Sequence, residues 1–158
     1  MAGASIPERS DAVQLVHATC VVVDGAGILL VGPSGAGKSD LALRLLHGQI
    51  RIDGQMIETA LVADDQVLIE ARAGRLFARP PLQLAGLIEV RGIGILPTPH
   101  QPEVVLTLAI GLVNSGNVER LPEPVPGYPI LGKTLRYATL APFEASAPLK
   151  VVLLVRRS

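Results

Sequence analysis

The sequence predicts a single α/β domain with a mixed sheet and few helices, and three observations support that class. Its 158 residues are enough for one sizeable core but not for two. Apolar residues make up 49% and aromatic residues only 3%, so aliphatic side chains must fill that core. An apolar strand, Ile28 to Val31, leads into the glycine-rich stretch Gly32 to Gly37, and helical spacing begins at Lys38. This order is typical of a nucleotide-binding α/β domain.

Charge and hydropathy argue against nucleic-acid and membrane partners. Lys plus Arg equals Asp plus Glu, and no basic run precedes Arg156 and Arg157, so no phosphate-backbone footprint is visible. Gly, Pro or charged residues interrupt every apolar run well before the roughly 20 residues that span a bilayer.

Cys20 is the only cysteine, which excludes an internal disulfide, and its apolar surroundings favour a buried structural thiol over a nucleophile. We expect a cytoplasmic protein.

The first half of the chain predicts two strands and a helix. Residues 1–14 look like a loose leader, and the domain is expected to cover residues 15–158. Leu15 to Val23 is rich in β-branched residues and predicts a strand, and Asp24 to Gly27 supplies the turn to the next strand. The helix from Lys38 to His47 follows from leucines at helical spacing and a terminating Gly48.

The second half predicts mainly strands. Val67 to Ala71 and Arg75 to Ala78 flank Gly74 and indicate a hairpin. Glu103 to Ile110 alternates as a strand does, and Leu149 to Val155 is expected to be a late strand. The prolines between residues 122 and 129 argue against regular structure in that segment, and a mobile loop is expected there.

The clearest chemical signal is a complete phosphate-loop pattern in its proper strand-to-helix setting. Its glycines let backbone N–H groups wrap around a phosphate, and the helix that follows adds its positive dipole end. Lys38 is expected to bridge the β- and γ-phosphates, and the hydroxyl of Ser39 is a ligand for Mg²⁺. The predicted nucleotide-binding residues are Gly32, Pro33, Ser34, Gly35, Ala36, Gly37, Lys38 and Ser39.

Two adjacent acids are the candidates to complete this site. Asp64 and Asp65 follow the apolar run Leu61 to Ala63, so they could emerge at the strand end nearest the loop. One would support the metal through Ser39 and the other would accept a proton. The alternative is a pair of acids in a solvated turn.

Other polar residues carry weaker signals. Glu89 and Arg91 interrupt the apolar run Leu87 to Ile95, which on composition alone favours a salt-bridged edge strand, with a functional role second. His17, His47 and His100 are ordinary core or surface histidines by default, and no His/Cys pattern predicts a zinc site.

These residues together resemble the HPr kinase/phosphorylase family, in the short form that comprises only its C-terminal catalytic domain. The likeness extends from about Val16 to Val155. Four ordered segments carry it: Val16-His17, Gly-Pro-Ser-Gly-Ala-Gly-Lys-Ser at 32–39, Leu-Val-Ala-Asp-Asp at 61–65, and Leu-Ile-Glu-Val-Arg-Gly-Ile-Gly-Ile at 87–95.

The resemblance implies an α/β fold related to the nucleotide site of phosphoenolpyruvate carboxykinase. It also implies an ATP- and Mg²⁺-dependent kinase that phosphorylates a serine of HPr, the phosphocarrier of the sugar phosphotransferase system, or of an HPr-like protein. The choice of ATP over GTP follows from the resemblance alone. The implied catalytic residues are His17, Lys38, Asp64, Asp65 and Arg120, and the implied metal ligands are Ser39 and Glu89.

Departures from the family pattern leave some properties open. Asp40 stands where the family usually has Glu, and residues 141–148 replace the Arg-Pro-Gly-Arg-Asn segment that is tied to dephosphorylation. The resemblance therefore does not carry the reverse reaction to this chain, and homo-oligomerisation stays open. Two alternative functions share the loop: a kinase for a small metabolite, and a non-catalytic ATP-sensing regulator that contacts a partner through Pro122 to Pro129.

Overall fold

A mixed sheet of nine strands organises the molecule, as a computed structural model shows for residues 12–157. The strands are β1 (Val13–Val16), β2 (Thr19–Val23), β3 (Ala26–Val31), β4 (Arg51–Ile52), β5 (Gln55–Met56), β6 (Thr59–Ala63), β7 (Val67–Arg72), β8 (Arg75–Arg79), β9 (Leu87–Val90), β10 (Gly94–Pro97), β11 (Val104–Leu112), β12 (Tyr128–Ile130) and β13 (Lys133–Leu140). The α-helices are α1 (Lys38–His47) and α2 (Ala147–Arg156), and short 3₁₀ turns cover Leu82–Leu84 and Ser115–Asn117. Neither described helix is long and apolar enough to cross a membrane.

The centre of the sheet contains parallel strands whose carboxyl ends meet. β11 pairs in parallel with β3 on one side and with β13 on the other, aligning Gly111 with Val31 and Leu112 with Leu140. β6 runs in the same direction as β3, because both are antiparallel to β2. The segments that follow β3, β6, β11 and β13 therefore leave the sheet at one edge, where α/β proteins commonly place their sites.

The core lies on both faces of this sheet. Adjacent β3 residues point to opposite sides: Leu30 packs with Leu41 of α1 and Val151 of α2, whereas Leu29 packs with Cys20 on the other face. All five are fully buried. Full burial of an aliphatic side chain stabilises a fold by about 1.5–3 kcal/mol, so the helices hold one face of the sheet, and through it the strand ends, in place.

The hairpins agree with the sequence prediction. Asp24 and Gly25 both have positive φ, 53° and 83°, as a two-residue turn between β2 and β3 requires. β7 and β8 form the predicted hairpin, with Leu76 opposite Ala71.

Residues 118–127 contain no helix or strand, as the prolines predict.

The predicted strand at Leu149 to Val155 is wrong, because this segment belongs to α2. Ala147, Val151 and Val152 are buried, a spacing that places them on one helical face. Pro148 lies in the first turn, where a missing N–H costs nothing. A short apolar run cannot by itself distinguish a buried strand from a helix.

Smaller differences concern the chain start and Pro129. The predicted strand from Leu15 to Val23 is two strands, broken between Val16 and Thr19. β1 begins at Val13, so the described structure starts before the predicted domain boundary, and the rest of the predicted leader, residues 1–11, lies outside the described residues. Pro129 lies in β12, which pairs only with β13, and such an edge position tolerates proline.

Candidate active site

The glycine-rich loop forms the floor of the candidate site. It leaves β3 at Gly32 and enters α1 at Lys38. Gly35 and Gly37 adopt φ values of 84° and 99°, a left-handed conformation that other residues rarely take. Leu41 N–H donates to the Gly37 carbonyl at 2.9 Å, which closes the first helical turn directly after the loop. The positive end of the α1 dipole is thus at the loop, where it favours an anion.

The amine of Lys38 lies on the loop itself. Its Nζ donates to the Gly32 carbonyl at 2.7 Å and to the Pro33 carbonyl at 3.0 Å. These two hydrogen bonds hold a positive charge beside the loop's backbone, where phosphate oxygens would be attracted.

Asp64 links three elements at the strand edge. Its Oδ1 accepts hydrogen bonds from Thr19 Oγ1 at 2.9 Å and from Ser39 Oγ at 2.7 Å, and its Oδ2 accepts the Glu89 backbone N–H at 2.9 Å. The residue is only 5% exposed. One carboxylate therefore ties the start of β2, the first turn of α1 and β9 together, and it fixes the Ser39 hydroxyl.

Asp65 is positioned differently from its neighbour. It is exposed and has a φ of 69°, and the Gln66 N–H donates to the Asp64 carbonyl at 2.8 Å across it. Such a tight turn is strained, and strain of this kind is concentrated at functional sites. The turn places the Asp65 side chain in the lining of the cleft beside the loop. The predicted alternative, two acids in a solvated turn, therefore does not describe Asp64.

A cleft of about 660 Å³ brings most of the predicted site residues together. The predicted residues that line it are His17, Gly32, Pro33, Ser34, Gly35, Gly37, Lys38, Ser39, Asp65 and Glu89. Asp64 lies just beneath, through its bond to Ser39. Arg91 also lines the cleft. Composition favoured a salt-bridged edge strand: β9 is an edge strand, since it pairs with β10 in a two-stranded sheet, but the salt bridge is wrong, because within residues 12–157 neither Glu89 nor Arg91 forms an ion pair.

Besides Asp64, two predicted site residues, Ala36 and Arg120, do not line this cleft. Ala36 lies within the loop, where its N–H donates to the Pro33 carbonyl at 3.0 Å. Arg120 is exposed in the segment between the 3₁₀ turn at Ser115–Asn117 and β12. Its neighbour Glu119 lines a separate cavity against β13 and α2. A catalytic role for Arg120 stays a prediction.

Sequence reasoning did not single out four residues of the cleft lining: Thr19, Leu43, Val90 and Phe143. Thr19 is fully buried and donates to Asp64, and its only sequence signal is its place two residues after His17 at the start of an apolar strand. Phe143 lines the cleft from the segment after β13, in a part of the chain that carries no motif.

Cys20 is unrelated to the cleft chemistry. It is fully buried among aliphatic residues on the face of the sheet opposite the helices, and burial raises the pKa of its thiol. A neutral buried thiol is a poor nucleophile, as the sequence predicted.

The oxygen donors of the cleft suit a magnesium ion. Among the described residues no three His, Cys, Asp or Glu side chains cluster as a protein-only metal site would. Mg²⁺, however, is commonly held by one or two protein oxygens together with substrate phosphates and waters. The Ser39 hydroxyl and the Glu89 carboxylate line the same cleft as the loop, so the donor set fits that mode of binding.

Comparison with known proteins points to one family. The family model described as HPr Serine kinase C-terminal domain matches residues 10–101. The chain is 42% identical over 84 residues to an HPr kinase/phosphorylase of Clostridium tetani, which is 53% of this chain and 25% of that protein. It is 29% identical over 144 residues to an HPr kinase/phosphorylase of Mycoplasma genitalium, covering 84% of this chain and 43% of that protein. The matches thus span less than half the length of either relative.

A solved structure extends the similarity over most of the fold. The Hpr(Ser) kinase/phosphatase from Coxiella burnetii superposes with a TM-score of 0.76 and 26% sequence identity, covering 91% of this chain and 95% of that chain. The mixed sheet with few helices is therefore shared with a protein of that description.

Proposed function

Because this chain belongs to the HPr serine kinase C-terminal domain family, we propose that it is an ATP- and Mg²⁺-dependent kinase that phosphorylates a serine of HPr or of an HPr-like phosphocarrier. The observation that carries the proposal is the meeting of the Gly32 to Ser39 loop with Asp64 and Asp65 at one strand edge. The proposal includes a nucleotide site of the phosphoenolpyruvate carboxykinase kind and a cytoplasmic location.

Each residue of the cleft has a role in this proposal. The loop and the start of α1 hold the phosphates, and Lys38 exchanges its bonds to the Gly32 and Pro33 carbonyls for phosphate oxygens. Ser39 and Glu89 hold Mg²⁺, which neutralises charge on the phosphate oxygens when it is bound.

Asp65 is the proposed proton acceptor. The serine oxygen forms a bond to the γ-phosphorus, the bond from that phosphorus to the bridging oxygen of ADP breaks, and the serine proton passes to Asp65. Its exposure leaves the carboxylate accessible to an incoming hydroxyl, whereas Asp64 has its oxygens occupied by three donors. His17, also exposed at the cleft, is proposed to contact the phosphates or the incoming serine.

The surroundings of the cleft favour a protein substrate over a small metabolite. Glu89 and Arg91, which line the cleft, belong to the hairpin of β9 and β10. On the same hairpin Ile93 is 72% exposed and Ile95 is 66% exposed. Exposed apolar side chains grouped beside a site are typical of a surface that a protein partner covers.

The test is intact-mass spectrometry of purified HPr after incubation with this protein and Mg·ATP. We expect one added phosphate, and none when the Lys38→Ala variant replaces the wild type. Transfer to small metabolites but not to HPr would instead support a metabolite kinase. ATP binding without transfer to any carrier protein would support the regulator.

A further inference from the structure

Phe143 lies at the cleft in a position that no element of the proposed chemistry uses. It is 70% exposed, and it is the one aromatic ring among the exposed large apolar side chains of residues 12–157. A Cβ added at Gly37 would come within 2.9 Å of Phe143 Cζ and 3.0 Å of Cε1. The ring edge therefore lies against the last glycine of the loop, and Phe143 is a largely exposed residue of the cleft lining.

The backbone that carries the ring is anchored. Leu140, the last residue of β13, accepts the Val113 N–H at 3.0 Å. The Arg44 guanidinium of α1 donates to the carbonyls of Pro142 and Glu144, and it is itself paired with Asp40 at 2.9 Å. Because the backbone is held on both sides of Phe143, little backbone conformational entropy would be lost in this segment when a ligand binds to the ring.

The wall around Phe143 has the chemistry of a base site. Leu43 and Asp40, on the α1 residues that follow Ser39, line the same cleft as the ring. The whole cleft, about 660 Å³, is within the range that holds a small-molecule ligand, so with phosphates on the loop the nucleoside would occupy the rest of the same cleft. The lining of this cleft thus includes one aromatic ring, that of Phe143, together with the aliphatic side chains of Leu43 and Val90.

We propose that Phe143 stacks on the base of the nucleoside triphosphate whose phosphates occupy the Gly32 to Ser39 loop. This inference rests on the proposed function, because it requires a nucleotide in the loop. Stacking uses the π-face that every base has, so it strengthens binding without choosing one base over another. Phe143 accordingly supports ATP and GTP to a similar extent.

The test compares a ligand that has a base with one that lacks it. Isothermal titration of Mg·ATP and of Mg·tripolyphosphate is carried out on the wild type, Phe143→Ala, Phe143→Leu and Phe143→Tyr. Leu82→Ala is the matched control, since Leu82 is 91% exposed and lies outside the cleft lining. Thermal unfolding of each variant checks the fold, which an exposed side chain should leave unchanged.

The expected result is a selective loss. Phe143→Ala weakens ATP binding by about 5- to 100-fold and leaves tripolyphosphate binding within about twofold, as removal of one stacked base contact predicts. Phe143→Leu, which keeps an apolar side chain but no ring, loses most of the same affinity, and Phe143→Tyr retains it. GTP follows ATP through the series.

Each of the following results would overturn the inference. Equal weakening of ATP and tripolyphosphate by Phe143→Ala would mean that the ring only supports the loop. Unchanged ATP binding in that variant, or full affinity in Phe143→Leu, would exclude stacking. Wild-type protein that binds neither ligand would remove the inference together with the proposed function, whereas equal wild-type binding of both ligands would remove the base site and leave the phosphate loop intact.

Discussion

Replacing Asp64 by Asn should destabilise the fold, because the three groups around its carboxylate all donate hydrogen bonds. Asp64 Oδ1 accepts from Thr19 and Ser39, and Oδ2 accepts from the Glu89 N–H. An amide has one oxygen and one NH₂ group. With the oxygen toward the hydroxyls, the NH₂ group faces the Glu89 N–H, and in the flipped orientation both hydroxyls must turn to accept. In the first orientation the Ser39 hydroxyl donates to a neutral oxygen instead of a carboxylate, and in the second it must accept a hydrogen bond instead of donating one.

The magnitude follows from the kind of hydrogen bond lost. A bond to a charged group contributes about 1.5–3 kcal/mol and a neutral one about 1 kcal/mol, so each exchange costs about 0.5–2 kcal/mol and three together lower the free energy of unfolding by about 1.5–6 kcal/mol. At about 2–4 °C per kcal/mol for a domain of this size, Tm should fall by about 3–24 °C. Urea denaturation followed by far-UV circular dichroism measures the free energy of unfolding.

The neighbouring acid provides the matched control. Asp65 is exposed and makes no hydrogen bond or ion pair through its side chain within residues 12–157, and Asn tolerates its positive φ. Asp65→Asn should therefore change the free energy of unfolding by less than about 0.5 kcal/mol. If Asp64→Asn is no more destabilising than Asp65→Asn, the view of Asp64 as the link between the strand ends is refuted. A double-mutant cycle with Ser39→Ala isolates the Ser39–Asp64 term.

Three further predictions concern separate features of the chain. Lys38→Ala should abolish both ATP binding and phosphoryl transfer, whereas Asp65→Asn should lose transfer but keep ATP binding. Isothermal titration calorimetry measures ATP binding, and intact-mass spectrometry of HPr measures transfer. An equal loss of ATP binding in both variants would contradict these separate roles of Lys38 and Asp65. Ile93→Ser, on the exposed hairpin of β9 and β10, should raise the KM for HPr by about tenfold and leave the KM for ATP unchanged, because one apolar side chain would no longer be buried against HPr. Parallel changes in both KM values would argue against docking of HPr on this hairpin. Cys20 should resist thiol reagents in the folded protein and react on unfolding. Because burial raises the pKa of its thiol, the unfolded state loses the proton first, so stability should fall as pH rises above about 8.5, and a Cys20→Ala variant should show a smaller fall.

The loop and the acid pair could be predicted because their signals are local. Gly32 to Ser39 is one continuous strand-to-helix turn, and Asp64 follows directly from the end of an apolar strand. What links them is not local. The Thr19–Asp64 bond joins residues 45 apart in sequence and the Glu89–Asp64 bond joins residues 25 apart. These contacts depend on the position of β2 between β3 and β6, which apolar periodicity along the chain does not specify.

The C-terminal part was predicted less well for a physical reason. β13 carries exposed polar residues at Lys133, Thr134 and Arg136, so its sequence lacks the apolar alternation that marks a strand. Without β13, nothing indicates that the segment after it returns to the loop. The helix α2 was predicted as a strand for a related reason, since its apolar run is too short for periodicity to decide.

The arrangement of parallel strand ends explains how a domain of this size could assemble the proposed phosphoryl-transfer site. Transfer of a phosphoryl group requires positioning and charge stabilisation rather than covalent chemistry by the protein, so the essential property is that separate groups hold fixed relative positions. The segment after β3 supplies backbone donors and Lys38, and the segment after β6 supplies two carboxylates. Because Asp64 joins these segments while Asp65 remains exposed, one acid can hold the geometry and leave the other available to the proposed substrate. The unequal burial of the two adjacent acids therefore meets two requirements of the proposed site: buried Asp64 keeps the strand ends rigid beneath the cleft, and exposed Asp65 stays accessible within it.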